Sequence, residues 1–225
     1  MLLLLAVSVL INYMDRGNLG IAAPQITHEL NIKDTQMGVL LSAFFWTYAL
    51  FQIVAGWLVD RYDVARVYAI GFFVWSAATF AMGMVSGFAA LVLFRLILGV
   101  GESVAYPAYS KILSKGFRED QRGLANAVID ASTKFGPAVG MLLGGWMIGQ
   151  YGWRAFFIVT GVGSLIWLFP WLYYSPREDS RPVLGEEGPG WLQLLGSRSA
   201  WATFIGLFCF NYNWYLLLTW LPSFL

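Results

Sequence analysis

Residues 94–111 read FRLILGVGESVAYPAYSK and place an arginine and a glutamate inside an otherwise apolar helical stretch. A charge at bilayer depth is energetically expensive, so it is rare and usually faces a cavity or a partner. Helical periodicity puts five residues of this stretch on one face: Arg95, Gly99, Glu102, Tyr106 and Tyr109. This face is either a structural stripe paired permanently with another helix or a site for a substrate and a proton. The usual functional role of charge inside a membrane favours the second interpretation.

The composition indicates an integral membrane protein. The chain of 225 residues is 58% hydrophobic and only 12% charged. Four uncharged runs, 35–59, 67–94, 155–176 and 199–225, each exceed the ~20 residues that a helix needs to cross the hydrocarbon core. The net charge of +1 gives no indication of nucleic-acid binding, and the single cysteine, Cys209, cannot form an intrachain disulfide.

The apolar pattern predicts seven membrane-spanning helices in an all-α protein. Their expected bounds are 1–24, 36–59, 66–85, 90–113, 122–149, 155–175 and 199–225. They divide into a six-helix bundle at 1–175, a linker with prolines and glycines at 176–198, and a seventh span at 199–225. Because the sequence ends within an apolar run, we expect this chain to be part of a longer protein.

Loop charge predicts the orientation of the chain. The loops after the second, fourth and sixth spans carry nine basic residues, whereas the loops on the other side carry two, Lys33 and Arg154. Because basic loops stay on the cytoplasmic side, the N-terminus is expected in the cytoplasm.

An internal repeat relates the two halves of the six-helix bundle. The pattern Gly-Trp-x-x-x-x-Tyr occurs at 56–62 and again at 145–151. The two copies begin 89 residues apart, and adding 89 to the position of Asp15 gives 104, two positions after Glu102. A repeat of three spans, with the second copy inverted in the membrane, is typical of secondary transporters.

Ionisable side chains within the predicted spans number three of each sign: Asp15, Arg16, Arg95, Glu102, Asp130 and Lys134. Asp130 and Lys134 are one turn apart, and a purely structural ion pair is as compatible with this spacing as a functional role. Asp15 and Arg16 lie about 100° apart around the first span, so each needs its own partner. The opposite-signed groups of the fourth span are the obvious candidates.

The zero sum of these charges suggests a coupling mechanism. Protonation of one carboxylate leaves a net positive charge in a low-dielectric cavity, which attracts an anionic substrate, and the bound anion favours the proton in return. Glu102, among small and apolar neighbours, is the better candidate for this proton, and Asp15 is the second. The planar, bidentate guanidiniums of Arg16 and Arg95 suit a carboxylate, so we assign them to substrate binding or gating.

Further polar side chains complete the predicted cavity wall: Tyr13, Tyr48, Gln52, Tyr106, Asn211 and Tyr215. The sequence shows no catalytic constellation, phosphate-binding glycine loop or metal-ligand cluster, so neither an enzyme nor a cofactor is expected. The single histidine, His28, is predicted to lie in a solvated external loop beside Glu29.

The connection between the second and third spans carries a specific motif. Its members, spaced Gly-x-x-x-Asp-Arg-Tyr-x-x-x-Arg, are Gly56, Asp60, Arg61, Tyr62 and Arg66. The motif resembles the cytoplasmic gating latch of the major facilitator superfamily, whose aspartate and arginines hold two halves of a transporter together when the outside is open. Here Asp63 occupies a position that is usually glycine, and Ala65 one that is often basic, which predicts a weaker latch.

Three further patterns resemble the anion:cation symporter branch of that superfamily, which includes sugar-acid/proton symporters and sialin-like transporters. They are Asn-Tyr-x-Asp-Arg-x-Asn at 12–18, Arg-x-x-x-Gly-x-x-Glu-x-x-x-x-Pro at 95–107, and Thr-Trp-Leu-Pro at 219–222. The resemblance implies proton coupling by Asp15 and Glu102. It also implies substrate binding or gating by Tyr13, Arg16 and Arg95.

By this resemblance the chain covers the first six-span half, the linker and one further helix of a two-half transporter in the bacterial inner membrane. The leading prediction is proton-coupled symport of a small organic anion, such as a sugar acid or an aromatic carboxylate. A facilitator or exchanger without proton coupling, and a non-transporting membrane sensor or scaffold, remain alternatives. The expected partners are the anion, the proton, the lipid bilayer and the missing second half.

Overall fold

The computed structural model describes residues 1–175 and 191–224, and the side chains of 191, 192, 194 and 214–224 lie outside that description. The chain divides into two compact units, Met1–Pro182 and Val183–Leu225. The helices of the first unit are α1 (Leu2–Leu30), α2 (Asp34–Arg61), α3 (Val64–Met84), α4 (Phe88–Glu102), α5 (Ala105–Gly116) and α6 (Glu119–Tyr174).

Among the described residues, five helical segments are long and apolar enough to cross a membrane, with α4 and α5 counted as the single segment Phe88–Gly116. The last of them, α6, contains 56 residues. At 1.5 Å per residue it would extend about 84 Å, far more than the ~30 Å hydrocarbon core. Gly152 interrupts it with φ 81° and ψ 165°, a conformation essentially restricted to glycine. The parts before and after Gly152, here the first and second limbs of α6, bring the bundle to the six predicted spans and confirm the all-α class.

Helix ends differ from the predicted bounds within the fourth span, which divides into α4 and α5 at residues 103–104, and at two connections. Helix α1 continues through Leu30 and ends at Asn31, whose φ of 49° and ψ of 42° form a left-handed C-cap. His28 therefore lies in the last turn of α1, and the prediction of a loop at this position is wrong. Between α2 and α3, the Asp63 carboxylate accepts a hydrogen bond of 2.7 Å from the backbone N–H of Arg66 and caps α3. An aspartate thus starts a helix where the resembled motif has a glycine.

Glycines bring helices of the bundle into backbone contact. A Cβ atom at Gly99 of α4 would overlap Thr47 Oγ1 and the Phe44 carbonyl of α2. A Cβ atom at Gly136, in the first limb of α6, would lie 2.6 Å from the Leu10 carbonyl of α1. No side chain fits at either crossing without displacing the partner helix, so both helix pairs depend on glycine.

The same crossings follow the predicted repeat of three spans. If the first three spans correspond to the last three, the contact of α4 with α2 corresponds to that of α1 with the first limb of α6, and both occur. The contact of α3 with α4 at Gly71 and Gly101 corresponds in the same way to that of the second limb with α1 at Thr160 and Asn18. The helix packing therefore supports an inverted repeat.

Large aromatic side chains fill part of the bundle core. Tyr68, Phe72 and Trp75 of α3 are fully buried. Trp167, in the second limb of α6, stacks on Phe72 with ring centroids 4.3 Å apart and on Trp171 at 5.1 Å. These rings pack α3 against the second limb of α6. This packing stabilises the bundle, in which other helices carry polar side chains.

The second unit contains α7 (Trp191–Gly196) and α8 (Arg198–Phe224). Trp201 Nε1 of α8 donates to the Leu195 carbonyl of α7 at 2.7 Å. Helix α7 falls within the predicted linker, most of which lies outside the described residues, so the predicted domain bounds stay predictions. Helix α8 covers the predicted seventh span, whose crossing of the membrane also stays a prediction.

Candidate substrate and proton site

One face of α1 carries polar side chains into the interior of the bundle. Ser8, Asn12, Asp15 and Asn18 follow one another at helical spacing, and each is at most 2% exposed. Asp15 Oδ1 accepts a hydrogen bond of 3.0 Å from Asn18 Nδ2, which also donates to Thr160 Oγ1 at 3.4 Å. The row places polar groups where apolar packing is the rule in a membrane helix, which is typical of a functional interior.

Arg16 forms an ion pair between α1 and α4. Its Nε donates to Glu102 Oε2 at 2.8 Å. The Glu102 side chain is fully buried at the end of α4, and the Arg16 side chain is 13% exposed. The structure therefore brings together two predicted site residues, one from each copy of the repeat. Each buried charge depends on its partner, because removal of one leaves the other uncompensated.

Aromatic rings surround the Arg16 guanidinium. Its Cζ atom lies 4.6 Å from the ring centroid of Tyr48, 4.7 Å from that of Tyr13 and 5.4 Å from that of Phe44. These distances are within the ~6 Å range of cation–π attraction. Tyr13 and Tyr48 are predicted site residues. Phe44 is not, because a phenylalanine in an apolar span gives no sequence signal.

The pair of Arg16 and Glu102 leaves hydrogen-bonding capacity unused. Arg16 Nη2 and Glu102 Oε1 are buried and have no hydrogen-bond partner among the residues that the structure describes. Within the same set of residues, both amide atoms of Asn12 and Oδ2 of Asp15 are also unpaired. Buried polar atoms in native proteins normally have a partner. These atoms lie within about one turn of α1, which makes this the candidate position for a polar ligand.

Two tyrosines mark the accessible side of this site. The hydroxyl oxygens of Tyr13 and Tyr106 are 2.7 Å apart, and Tyr106 is 45% exposed. Gln52 of α2 is half-buried. Tyr109 is buried instead, and its hydroxyl lies 2.9 Å from that of Tyr68 in the core. The ring centroids of Tyr106 and Tyr109 are 6.3 Å apart on α5, although only Tyr106 is accessible, and the predicted five-residue face stays a prediction.

Arg95 lies deeper in the bundle than Arg16. It is 2% exposed, and its Nε donates to the Leu40 carbonyl of α2 at 3.3 Å. The Phe44 ring contacts both guanidiniums, with its centroid 5.2 Å from Arg95 Cζ and 5.4 Å from Arg16 Cζ. Burial removes Arg95 from direct approach by a solute, and its assignment to substrate binding or gating stays a prediction.

The predicted gating motif lies at the junction of α2 and α3. The Asp60 side chain is 84% exposed and lies 3.9 Å from Lys111 Nζ. Arg61 and Arg66 are exposed as well. Gly56 has open space beside its Cα, where a Cβ atom would contact nothing within 4 Å. The charges of this motif are accessible, as a latch to another part of the protein requires, and the latch role itself stays a prediction.

A second polar cluster, which the sequence does not predict, lies at the C-terminal end of α1. Gln25 Nε2 donates to the Ile148 carbonyl at 3.1 Å, and Gln25 Oε1 accepts from the Trp153 backbone N–H at 3.1 Å. A single amide side chain thus bonds to backbone groups on both sides of the break at Gly152.

Glu29 extends this cluster by one turn. Its carboxylate accepts hydrogen bonds from Trp153 Nε1 at 2.6 Å and from Arg154 Nη2 at 2.9 Å. Arg154 also donates to the Val85 carbonyl at 2.7 Å and to Ser86 Oγ at 3.1 Å. The cluster joins α1, the second limb of α6 and the connection between α3 and α4. Because the predicted orientation puts it on the external side, we call it the outer lock, consisting of Gln25, Glu29, Trp153 and Arg154.

Four further predicted residues fall elsewhere in the chain. Asp130 and Lys134 are exposed and one turn apart on the first limb of α6, and their pairing stays a prediction. Asn211 is exposed on α8, where its Nδ2 donates to the Leu207 carbonyl at 2.9 Å. The side chain of Tyr215 lies outside the described residues.

Comparison with known proteins assigns the family. The sequence matches the Major Facilitator Superfamily over residues 5–225, so the chain belongs to this superfamily. It is 32% identical to the uncharacterized transporter YybO of Bacillus subtilis, over 98% of this chain and 55% of that protein. It is 31% identical to the probable galactarate/D-glucarate transporter GarP of Escherichia coli, over 100% of this chain and 58% of that protein. The chain thus spans about half the length of the curated relatives it matches.

The fold agrees with this assignment. A crystal structure of a bacterial homolog of the human lysosomal transporter Spinster, inward-facing and unoccupied, matches with a TM-score of 0.73 at 22% identity. The match covers 91% of this chain and 48% of the other. The chain is an integral, multi-pass membrane protein of a transporter family and not an enzyme.

Proposed function

We propose that the full-length protein containing this chain is a proton-coupled symporter of a small organic anion, such as a sugar acid or an aromatic carboxylate. The observation that carries this proposal is the buried ion pair of Arg16 and Glu102, in which each partner retains an unpaired polar atom. These atoms leave capacity in the site for hydrogen bonds from water or from a substrate, as buried polar groups require.

A proton and an anion both act on this ion pair. Protonation of Glu102 removes its negative charge and releases the guanidinium of Arg16. The planar fork of Arg16 then binds a substrate carboxylate through two nitrogens. At 4 Å and an effective dielectric constant of 20, unit charges attract by about 4 kcal/mol. Proton and anion therefore favour each other's binding, which is the thermodynamic requirement for symport.

Asp15 and Arg95 are the second pair of charges in this mechanism. Both are 2% exposed inside the bundle. With Glu102 protonated, the four groups carry a net positive charge, which suits an anion. We assign Asp15 as the second proton position and Arg95 to substrate binding or gating through the charge that it contributes.

The groups around Arg16 suit a sugar acid. The hydroxyls of Tyr13 and Tyr106 supply hydrogen-bonding partners for sugar hydroxyls. We assign the Gln52 amide, one turn after Tyr48 on α2, to the same wall. The Tyr48 ring provides an aromatic wall, as ligand sites commonly do. We propose that Asn211 and Tyr215 contribute from the other half of the protein. GarP of Escherichia coli is a probable galactarate/D-glucarate transporter, which supports the carboxylate class.

Alternating access completes the proposal. The two halves of the full-length protein move around the site, and the motif of Gly56, Asp60, Arg61 and Arg66 closes the cytoplasmic side. The excess of basic residues in the loops on that side supports a cytoplasmic N-terminus in a bacterial inner membrane.

Uptake of radiolabelled galactarate into proteoliposomes that contain the full-length protein tests this function. A gradient of about one pH unit supports up to about tenfold accumulation per coupled proton, because 1.4 kcal/mol corresponds to a factor of ten. Glu102→Gln should abolish accumulation, while exchange of preloaded galactarate continues. Glu119→Gln removes a carboxylate that is 93% exposed on α6 and serves as the matched control, with accumulation retained.

The other outcomes identify the alternatives. Accumulation retained by Glu102→Gln would remove Glu102 from the coupling role. Galactarate flux that ignores the proton gradient in the wild type would indicate a facilitator or exchanger. A folded protein that neither binds nor moves galactarate or an aromatic carboxylate would indicate a sensor or scaffold.

A further inference from the structure

A groove lies between α2, α3 and α4, and none of its lining residues belongs to the site of Arg16 and Glu102. It encloses about 450 Å³, which is within the range of small-molecule sites. Its walls are aliphatic side chains from the three helices and from the residue before α5: Leu58, Val67, Ile70, Val74, Val100 and Val104. Such a groove on a membrane-spanning bundle is suited to a hydrocarbon chain.

Two glycines form the floor of the groove. A Cβ atom at Gly71 of α3 would lie 2.9 Å from the Gly101 carbonyl of α4, and one at Gly101 would lie 2.7 Å from the Trp75 nitrogen. The backbones of α3 and α4 are therefore in contact, and Val104 packs against Gly71 beside this contact. Ile70, which is 65% exposed, stands beside this floor as part of the wall. The depression is thus built into the helix crossing.

One end of the groove is polar. It is lined by Tyr62, Asp63 and Arg66, at the start of α3. The Asp63 carboxylate is occupied as the cap of α3 and the residue is only 7% exposed. Arg66 is exposed, so its guanidinium is the charge that this end presents to a ligand. Tyrosine and arginine at a helix end are typical of the headgroup level of a bilayer.

We propose that this groove is a binding site for one anionic phospholipid, with an acyl chain along α3 and the phosphate against Arg66. From Val67 to Val74 the wall extends about 10 Å, at 1.5 Å per residue. The apolar wall excludes a free phosphate or sugar phosphate as the complete ligand. Arg66 is the exposed cation that lines the groove, and its charge selects an anionic lipid over a zwitterionic one.

Native mass spectrometry of the full-length protein with dioleoyl phosphatidylglycerol or dioleoyl phosphatidylcholine tests the headgroup. The wild type should retain one phosphatidylglycerol in preference to phosphatidylcholine. Arg66→Gln should reduce that preference about fivefold, the factor that corresponds to ~1 kcal/mol per basic residue at a membrane surface. Equal retention of the two lipids by the wild type, or a preference unchanged in Arg66→Gln, would overturn the assignment.

A pair of tryptophan variants tests the groove itself. Val100→Trp fills the groove and should remove one bound phosphatidylglycerol. Val159→Trp makes the same change on α6, where Val159 is 52% exposed, and should leave the number of bound lipids unchanged. Loss in both variants, or in neither, contradicts the proposed location.

Photocrosslinking tests whether the groove is covered by the second half of the full-length protein instead of a lipid. A benzophenone side chain at position 100 should form an adduct with phosphatidylglycerol in vesicles of that lipid. A crosslink from position 100 to the protein's own second half would overturn the lipid proposal.

Discussion

The two copies of the Gly-Trp-x-x-x-x-Tyr pattern have the same local geometry. Trp57 and Tyr62 pack edge to face, with ring centroids 6.2 Å apart and planes at 79°. Trp146 and Tyr151 do the same at 6.0 Å and 78°. An identical ring arrangement at two ends of the bundle indicates that the repeat extends from sequence to side-chain packing.

The residues that accompany each copy differ. Beside the first copy, Asp60 is 84% exposed, and Arg61 lies over the Trp57 ring at 5.4 Å. After the second copy, Arg154 is bonded to Glu29 and to two groups before α4. The charged residues beside the first copy are exposed, whereas Arg154, after the second copy, forms hydrogen bonds to other parts of the bundle. The first copy thus keeps its charges exposed, as the proposed latch requires, whereas the arginine after the second copy is bonded within the first unit.

The largest effect is expected at the break in α6. Gly152→Ala places a side chain at φ 81°, so it should lower the free energy of unfolding by about 1–3 kcal/mol. Gly149→Ala, in the same helix with open space beside it, should be neutral or stabilising by up to about 1 kcal/mol. Thermal unfolding in detergent compares the two. Equal effects of the two substitutions would mean that the backbone conformation at position 152 does not require glycine.

A smaller effect is expected at the outer lock. Arg154→Gln removes charge-assisted hydrogen bonds and should cost about 1–2 kcal/mol, reduced by partial exposure of the pair. Arg118→Gln removes an ion pair whose Arg118 side chain is 80% exposed and should cost less than about 0.5 kcal/mol. Chemical denaturation of both variants gives the comparison. A cost at Arg154 no larger than at Arg118 would contradict an internal lock.

The smallest effect on stability is expected at the latch. Asp60→Asn should change the free energy of unfolding by less than about 0.5 kcal/mol, because the Asp60 side chain is 84% exposed. Transport by the full-length protein should nevertheless fall severalfold, since a weakened latch shifts the balance between inward-open and outward-open states. Galactarate uptake and thermal unfolding are measured on the same preparation. An unfolding cost equal to that of Arg154→Gln would remove the contrast between the copies.

The pairing of charges could be predicted from the sequence, because few ionisable residues occur in the predicted spans. With three of each sign, the partner of Arg16 had to come from a short set, and Glu102 was among the candidates. The aromatic residues around Arg16 could be predicted only in part. Tyr13 and Tyr48 combine a ring with a hydroxyl near charged neighbours, whereas Phe44 resembles every other apolar residue of its helix.

The outer lock could not be predicted from the sequence, because a hydropathy pattern ends a predicted span where polar and charged residues begin. The expected first span ends at residue 24, directly before Gln25, although α1 continues to Leu30. The contacts of Gln25 and Glu29 depend on the position of the second limb of α6, more than 120 residues later in the chain. The role of Asp63 as a helix cap likewise depends on the backbone conformation of the next turn, which the motif alone does not specify.

The glycine crossings at Gly99 and Gly136 have a consequence for spectroscopic study. Helices whose backbones touch resist sliding past one another. The distance between probes on α2 and α4, and the distance between probes on α1 and the first limb of α6, should therefore stay constant in the full-length protein. Such a pair of probes provides an internal reference distance. Distances from either helix pair to a probe elsewhere in the full-length protein can then be compared with this fixed reference.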